Sequence, residues 1–520
     1  MNKLNERKPL KRHVRIKNNK PIKKLELIDT QKITTITNYN YLNMKVLKQI
    51  FKIVLVLIGL LVAASITILG VDAQRTSYLN INKSQASNNN TYLITNVNII
   101  PMTKDTVLLD KTVFIQNGII KEIADSIEIQ GVEAFDAKNK FLTPGLIDMH
   151  VHVWDEYELG LYLSNGVTAV RNLWGMPMHL RMKEAIKNEK IFAPEFYTSG
   201  PKLTGPEFIG DDNLQLYSPK EAREKVQSYK SRGYDFIKTY YGLTKELYDE
   251  VIKQAKISDM DIVAHPSQKV PFAYHFNSQI KSMEHAEDIV QEALNYKLDS
   301  IKLNKIVEEY ADSPNTSFCP TLISFYNIYN MLTNENILES ESAHLMNALI
   351  RTTDSKKQFE RWGSTKKEDS TITERIKNQH DFHLYILKKL HDAGVNIICG
   401  TDSGIGVTAP GMAIHQELLF YKEAGLSNYE VLKTATINAA KVHKIMSHMG
   451  TIEEGKTANL LLLNNNPLTN LDALQKPNTV FIRGRKLNRE TLDNFDAQAK
   501  DRKNLIPTAF RYAEYMWIEK

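Results

Sequence analysis

The chain has 520 residues, 42% hydrophobic and 24% charged, with a formal net charge of +6. This composition excludes a disordered chain, and the length allows one large domain with a smaller companion. The positive charge is local. Residues 1–52 carry fourteen Lys/Arg against three Asp/Glu, whereas the rest carries 52 basic and 57 acidic residues. A mildly acidic body argues against a nucleic-acid-binding enzyme.

The basic front end, residues 1–52, leads into Ile53–Val71, "IVLVLIGLLVAASITILGV", 19 residues without a charge. At about 1.5 Å per residue this run spans roughly 28 Å, the thickness of a bilayer's hydrocarbon core. It reads as a transmembrane or signal segment. The positive-inside rule puts the N-terminus in the cytoplasm and everything after Val71 outside it. Val71 and Ala73 are small residues before a candidate cleavage at Gln74, so the expected alternatives are a single-pass anchor and a periplasmic or secreted enzyme. Read from Met44, the same stretch makes a complete signal peptide.

Residues 74–91 are Asn/Ser-rich and predict a linker. From Tyr92 short apolar runs predict strands, and Asn117-Gly118 between β-branched runs predicts a hairpin. Pro144-Gly145 ends this block. Strand-like runs then alternate with helical stretches: "LIDMHVHV", "VTAVRNL", "EFYTSG", "DFIKTYY", "DIVAHP", "IKSMEHA", "SFCPTLIS" and "VNIICGTDS". Eight such units over about 300 residues predict an α/β fold of the (β/α)8 TIM barrel type across 145–449. Residues 325–390 predict a helical insertion over the active face. Residues 450–488 return to short strands, completing with 92–144 a composite β-sandwich domain, and 489–520 predict a helical tail. The only two cysteines, Cys319 and Cys399, each sit in an apolar run and read as free buried thiols.

Chemistry in such a barrel sits at the C-terminal ends of the strands. His150 and His152 share one face of the first strand by its period of two. The other strand ends bring Lys238, His265, His285 and Asp402. Each alone has a bland reading: a satisfied structural histidine, a solvated lysine, an aspartate capping a helix. Together, four imidazoles and a carboxylate suit a borderline divalent cation such as Zn²⁺.

These motifs resemble the amidohydrolase superfamily, in particular its imidazolonepropionase-like and Xaa-Pro dipeptidase (prolidase)-like branch. The matching residues are "TPGLIDMHVH", "GVTAVRNL", "YDFIKTYY", "IVAHP", "SMEHAEDI", "GVNIICGTDSG", "HQELLFYKEAGLSNYEVLKTATINAAK" and "GTIEEGKTANLLLLNNNPL", covering roughly Tyr92 to Lys486. The resemblance implies two divalent metal ions, one held by His150, His152 and Asp402, the other by His265 and His285. It further implies an N-carboxylated Lys238 as bridging ligand. The reaction it implies is hydrolysis of a C–N amide bond by a metal-bridging hydroxide, with Asp402 as the catalytic proton carrier. A small molecule or dipeptide of the Xaa-Pro type is the expected substrate. Tyr240, Tyr241 and His179 are candidates near the substrate carbonyl, and Arg171 for a substrate carboxylate. Asn459, Asn172 and Trp174 depart from the family pattern and bear on substrate choice. The alternatives are an imidazolonepropionase-like cyclic-amide hydrolase and an inactive membrane-tethered binding protein. Self-association is left open.

Overall fold

The computed structural model describes residues 26–81, 90–208, 210, 213–500 and 502–520, with side chains from residue 44 onward. Residues 1–25 of the predicted basic segment and 82–89 of the predicted linker lie outside them. The chain divides into two compact units, Met1–Val71 and Asp72–Lys520. Helix α1 (Glu26–Arg75) carries the apolar run, whose side chains are exposed, Leu60 at 62% and Leu61 at 67%. By length and composition it can cross a membrane. The linker expectation needs correcting. Helix α1 continues to Arg75, Thr76–Leu79 form a 3-10 turn, Leu79 is fully buried and Asn80 bridges Ile191. One apolar residue among polar neighbours anchors this stretch to the body.

The body opens with β1 (Tyr92–Ile99), β2 (Leu108–Gln116), β3 (Ile119–Ala124), β4 (Ala134–Asp136) and β5 (Phe141–Pro144). Next come β6 (Leu146–Val151), α2 (Tyr157–Ser164), β7 (Val167–Asn172), α3 (Pro177–Lys187) and β8 (Glu195–Thr198). Short strands β9 (Lys202–Thr204) and β10 (Asn213–Gln215), which the sequence pattern does not announce, lead to α4 (Pro219–Arg232). Then follow β11 (Phe236–Thr239), α5 (Lys245–Ile257), β12 (Asp261–Ala264), β13 (Ile280–Glu284), α6 (Ser300–Ala311) and β14 (Ser317–Cys319). After β14 come α7 (Leu322–Thr333), α8 (Lys356–Glu368), α9 (Ile372–Asp392) and α10 (Ala413–Glu423). The chain closes with β15 (Leu460–Leu463), β16 (Thr479–Ile482), β17 (Arg485–Asn488), α11 (Arg489–Lys500) and α12 (Leu505–Ile518). Helix starts follow local chemistry: Ser218 accepts from Glu221 N ahead of Pro219, and Thr244 accepts from Leu247 N.

The flanks join in one mixed sheet, β17-β16-β15-β5-β1-β2-β3, with β4 also on β1. The expected sandwich of two sheets is thus a single sheet curled over its own core. Tyr92 on β1 and Phe481 on β16 stack at 6.2 Å although two strands lie between theirs, which a flat sheet at about 4.8 Å per strand forbids. The β2–β3 and β16–β17 turns meet so closely that a Cβ on Gly118 (φ +76°) would lie 2.5 Å from Arg483 O.

The parallel strands form two ladders, β6-β7-β8 and β10-β9-β11-β12-β13-β14. Single parallel bridges connect them, Ser199 to Phe236, Phe318 to Ile397 and Val151 to Ser403. The eighth expected strand, residues 395–403, is therefore corrected to an irregular extended segment. It still pairs on both sides: Met149 N donates to Cys399 O, Asp402 N to His150 O, and Ile398 N to Phe318 O. Its irregularity has a local cause. A Cβ on Gly400 would lie 2.4 Å from Cys319 Sγ, and Asp402 has φ +56°, geometries that break a regular ladder.

Candidate metal centre

The strand ends deliver six ligand-type side chains to one cavity of about 860 Å³: His150, His152, Lys238, His265, His285 and Asp402. All six are buried, at 1–7% exposure. His150 lies inside β6 and His152 one residue past its end, so both rings reach the same side. Their centroids are 5.5 Å apart, and His285 lies 4.7 Å from both His150 and His265. His285 and Asp402 sit at φ +67° and +56°, and Thr321 beside them at +50°. Three non-glycine residues in the left-handed region cost energy that surrounding contacts must offset, a pattern typical of functional sites.

The donors fall into two groups. In the first, His152 Nε2 donates to Asp402 Oδ1 at 2.9 Å, and His150 Nε2 lies 3.3 Å from the same oxygen. His150 Nδ1 donates to Glu284 Oε2 at 2.7 Å, and Ser324 Oγ donates to Asp402 Oδ2 at 3.2 Å. Burial alone would raise Asp402, but the imidazoles of His150, His152 and His285 hold its carboxyl well below the usual range. Burial pushes His150 down to about 4, so its ring is neutral at neutral pH.

The second group is His265, His285 and Asp288, with Lys238 beside it. Neither nitrogen of His265 makes a hydrogen bond among the described residues, although Nε2 lies 3.1 Å from Asp288 Oδ2. Lys238 Nζ and Asp288 Oδ2 are equally unsatisfied. His285 Nδ1 shares a hydrogen bond with Thr321 Oγ1 at 2.7 Å. Burial lowers the Lys238 ammonium to about 8 and keeps His265 and His285 well below the usual histidine range. A buried lysine, a bare imidazole and a bare carboxylate oxygen in one pocket are costly unless something pairs them.

The sequence profile of the amidohydrolase family matches residues 141–487. The chain belongs to this family. Among solved structures, this amidohydrolase is similar to a bottromycin amidohydrolase, 20% identical, with 80% of this chain and 92% of that one covered and a TM-score of 0.67. It is also similar to a Xaa-Pro dipeptidase with bound methionine in the active site (19%, 76% and 100%, 0.59). A third is an A. niger ochratoxinase (19%, 76% and 95%, 0.57). At these identities the likeness is one of fold. A dihydroorotase of Listeria monocytogenes serovar 1/2a is 56% identical over 46 residues, 9% of this chain and 11% of that relative.

The donor set of this amidohydrolase suits divalent cations. Nitrogen and carboxylate atoms of His150, His152 and Asp402 lie within 4.8 Å of one another, as do those of His265, His285 and Asp288. The unsatisfied nitrogen of His265 and oxygen of Asp288 in the second group are atoms that a cation would pair.

Two expected substrate residues are corrected. Arg171 is fully buried and committed: Nε donates to Met149 O, Nη1 to Ser282 Oγ and His443 Nε2, and Nη2 to Glu284 Oε1. It braces Glu284, which orients His150, and does not line the cavity. His179 is also fully buried. Its Nδ1 accepts from Met176 N and its Nε2 donates to Val153 O, so it caps the start of α3. Tyr240 lines the cavity, its ring 4.4 Å from His265. Tyr241 packs on His265 at 4.2 Å and donates to Asp288 Oδ1 at 3.3 Å. Residues the sequence reading passed over include Glu284, Asp288, Ser324 and Thr321. Glu284 and Asp288 stand inside the quoted "SMEHAEDI", on either side of His285; Ser324 and Thr321 carry no such signal.

Proposed function

We propose that this protein is a two-metal hydrolase that cleaves the C–N bond of a small amide, with Xaa-Pro dipeptides as the first substrates to try. The observation that carries the reading is the pair of donor groups on one cavity, the first largely hydrogen-bonded and the second with His265, Lys238 and Asp288 Oδ2 left unsatisfied. His150, His152 and Asp402 would hold one ion and His265 and His285 the other, zinc being the cation this nitrogen-rich set favours. When bound, such ions polarise a carbonyl and bring the pKa of water from about 15.7 toward 7.

The chain's own residues supply the rest. A Lys238 amine lowered to about 8 has a neutral fraction near physiological pH; it adds to CO₂ and loses a proton to become a carbamate. That converts a destabilising buried cation into an anionic ligand with two oxygens. Asp402, ionised because the imidazoles hold its pKa down, accepts the proton of the attacking water and returns it to the leaving nitrogen. Glu284, fixed by Arg171, keeps the proton of His150 on Nδ1 and turns Nε2 toward the cavity.

The same proposal reads the parallel segments as a (β/α)8 barrel, supported by bridges that join the ladders in cyclic order. It reads α1 as a membrane anchor that places the hydrolase outside the cytoplasm. Retention rather than cleavage after Ala73 is supported by Asp72, 3% exposed and paired with Arg511 at 2.5 Å. Elemental analysis of the purified chain should find close to two ions, and a panel of dipeptides set against lactams should show dipeptide cleavage. One ion with full activity overturns the two-metal reading; metal without hydrolysis of any amide favours a binding protein. The short dihydroorotase match supports cyclic amides as the second reading, and the lactam arm of the panel decides it.

A further inference from the structure

The cavity has the size of pockets that enclose drug-sized ligands, about 300–1,000 Å³, more room than a simple dipeptide needs. Away from the metal donors its walls combine a group of aromatic and aliphatic side chains with polar and charged ones such as Lys202, Asp354, Lys357 and Arg361. Three of the chain's four tryptophans, Trp154, Trp174 and Trp362, line it, with Phe325 and Tyr512. Trp154 and Trp174 follow β6 and β7, Phe325 and Trp362 come from the helices after β14, and Tyr512 comes from α12. Helix α12 lies beyond residue 487, where the family profile ends.

This tail is fixed in place. Arg502 Nη1 donates to both oxygens of buried Asp155 at 3.0 Å, and Asn504 Nδ2 donates to Asp155 at 2.6 Å. Asn347, from the segment after α7, donates to the same carboxylate at 2.6 Å. Tyr515 packs edge-on against Trp174 at 5.4 Å, Tyr512 lies 6.3 Å from Trp174, and Trp154 meets Trp174 at 4.7 Å. The wall is therefore a set of rings locked against each other.

We infer that the substrate carries a bulky aromatic group beside the scissile amide, seated against Trp154, Trp174 and Tyr512. This rests on the amide-hydrolase reading above and makes α12 a determinant of specificity.

The test uses the full metal-loaded chain and two substrates that share amide and carboxylate, N-(2-naphthoyl)-L-proline and N-acetyl-L-proline. The expected kcat/KM ratio favours the naphthoyl compound by about 100-fold. Tyr512→Ala should lower that ratio at least tenfold, chiefly through KM. Trp517→Ala, on the same helix but 89% exposed, should leave it unchanged. Ala509→Phe, which fills the wall from α12, should also lower the ratio and decides the matter if Tyr512→Ala does not fold. Binding of 2-naphthoate is read separately by quenching of tryptophan emission in the Trp517→Ala chain, where every remaining indole lines the cavity. Equal kcat/KM values with no quenching overturn the inference and leave the amide-hydrolase reading standing. Quenching that Tyr512→Ala weakens, without turnover of either amide, upholds the aromatic wall and overturns the amide-hydrolase reading. A Tyr512→Ala chain that loses both substrates equally reduces the tail to a structural role.

Discussion

The two donor groups of the centre differ in how completely the protein satisfies them. Around His150, His152 and Asp402, hydrogen bonds to Glu284 and from Ser324 form a network that leaves His152 Nδ1 as its one atom without a partner among the described residues. Around His265, Lys238 and Asp288, buried polar atoms face one another without hydrogen bonds. The first group is preorganised by its neighbours, whereas the second depends on a ligand for its shape. On the proposed two-metal reading, the contrast places the dependence on metal and CO₂ at the ends of β11 to β13 rather than of β6.

Four measurements break or sharpen this contrast. The largest effect belongs to Lys238→Ala, which removes the proposed shared ligand: activity should fall by about 10³-fold or more, beyond the 10–100-fold typical of outer partners, and bound metal from two ions toward one. Full metal content in that variant would show that the second group holds its ion without the lysine. Next, Glu284→Gln should weaken metal affinity by about 10–100-fold, because His150 loses the carboxylate that sets its tautomer. An undiminished affinity would mean that the first group's order comes from packing alone. Third, chelation should raise amide hydrogen exchange at the ends of β12 and β13 more than at β6; equal protection in both places would erase the distinction. The smallest effect is that of Ser324→Ala, which removes one hydrogen bond to Asp402, worth about 1 kcal/mol or roughly fivefold in kcat.

The sequence showed the strand-end residues because period-two alternation and apolar runs are local signals. Six of those side chains meet in one cavity. What it hid was set by distant partners. Arg171 at a strand end looks like an anion receptor until Glu284, 113 positions away, takes its guanidinium. His179 looks like a free imidazole until its ring folds back on the Met176 amide. The stretch around Asp402 reads as a strand, yet its positive φ and the close approach of Gly400 to Cys319 leave only isolated bridges. The curl of the composite sheet was equally hidden, since hydrophobic alternation gives strands without their curvature. Trp174, a departure from the family pattern, turns out to line the cavity.

The carboxylate of Asp155 also bears on when the enzyme becomes an enzyme. It sits three residues after His152, yet its partners Arg502 and Asn504 are synthesised 347 and 349 positions later. Chains grow from the N-terminus, and early segments fold while later ones are still being made. Until the tail arrives, Asp155 and the nearby buried Glu158 remain two adjoining carboxyl groups without their arginine, an arrangement that resists closing. Until residues 502–512 have been made, the part of the cavity wall given by Ala509 and Tyr512 is missing, so this segment times the completion of the pocket.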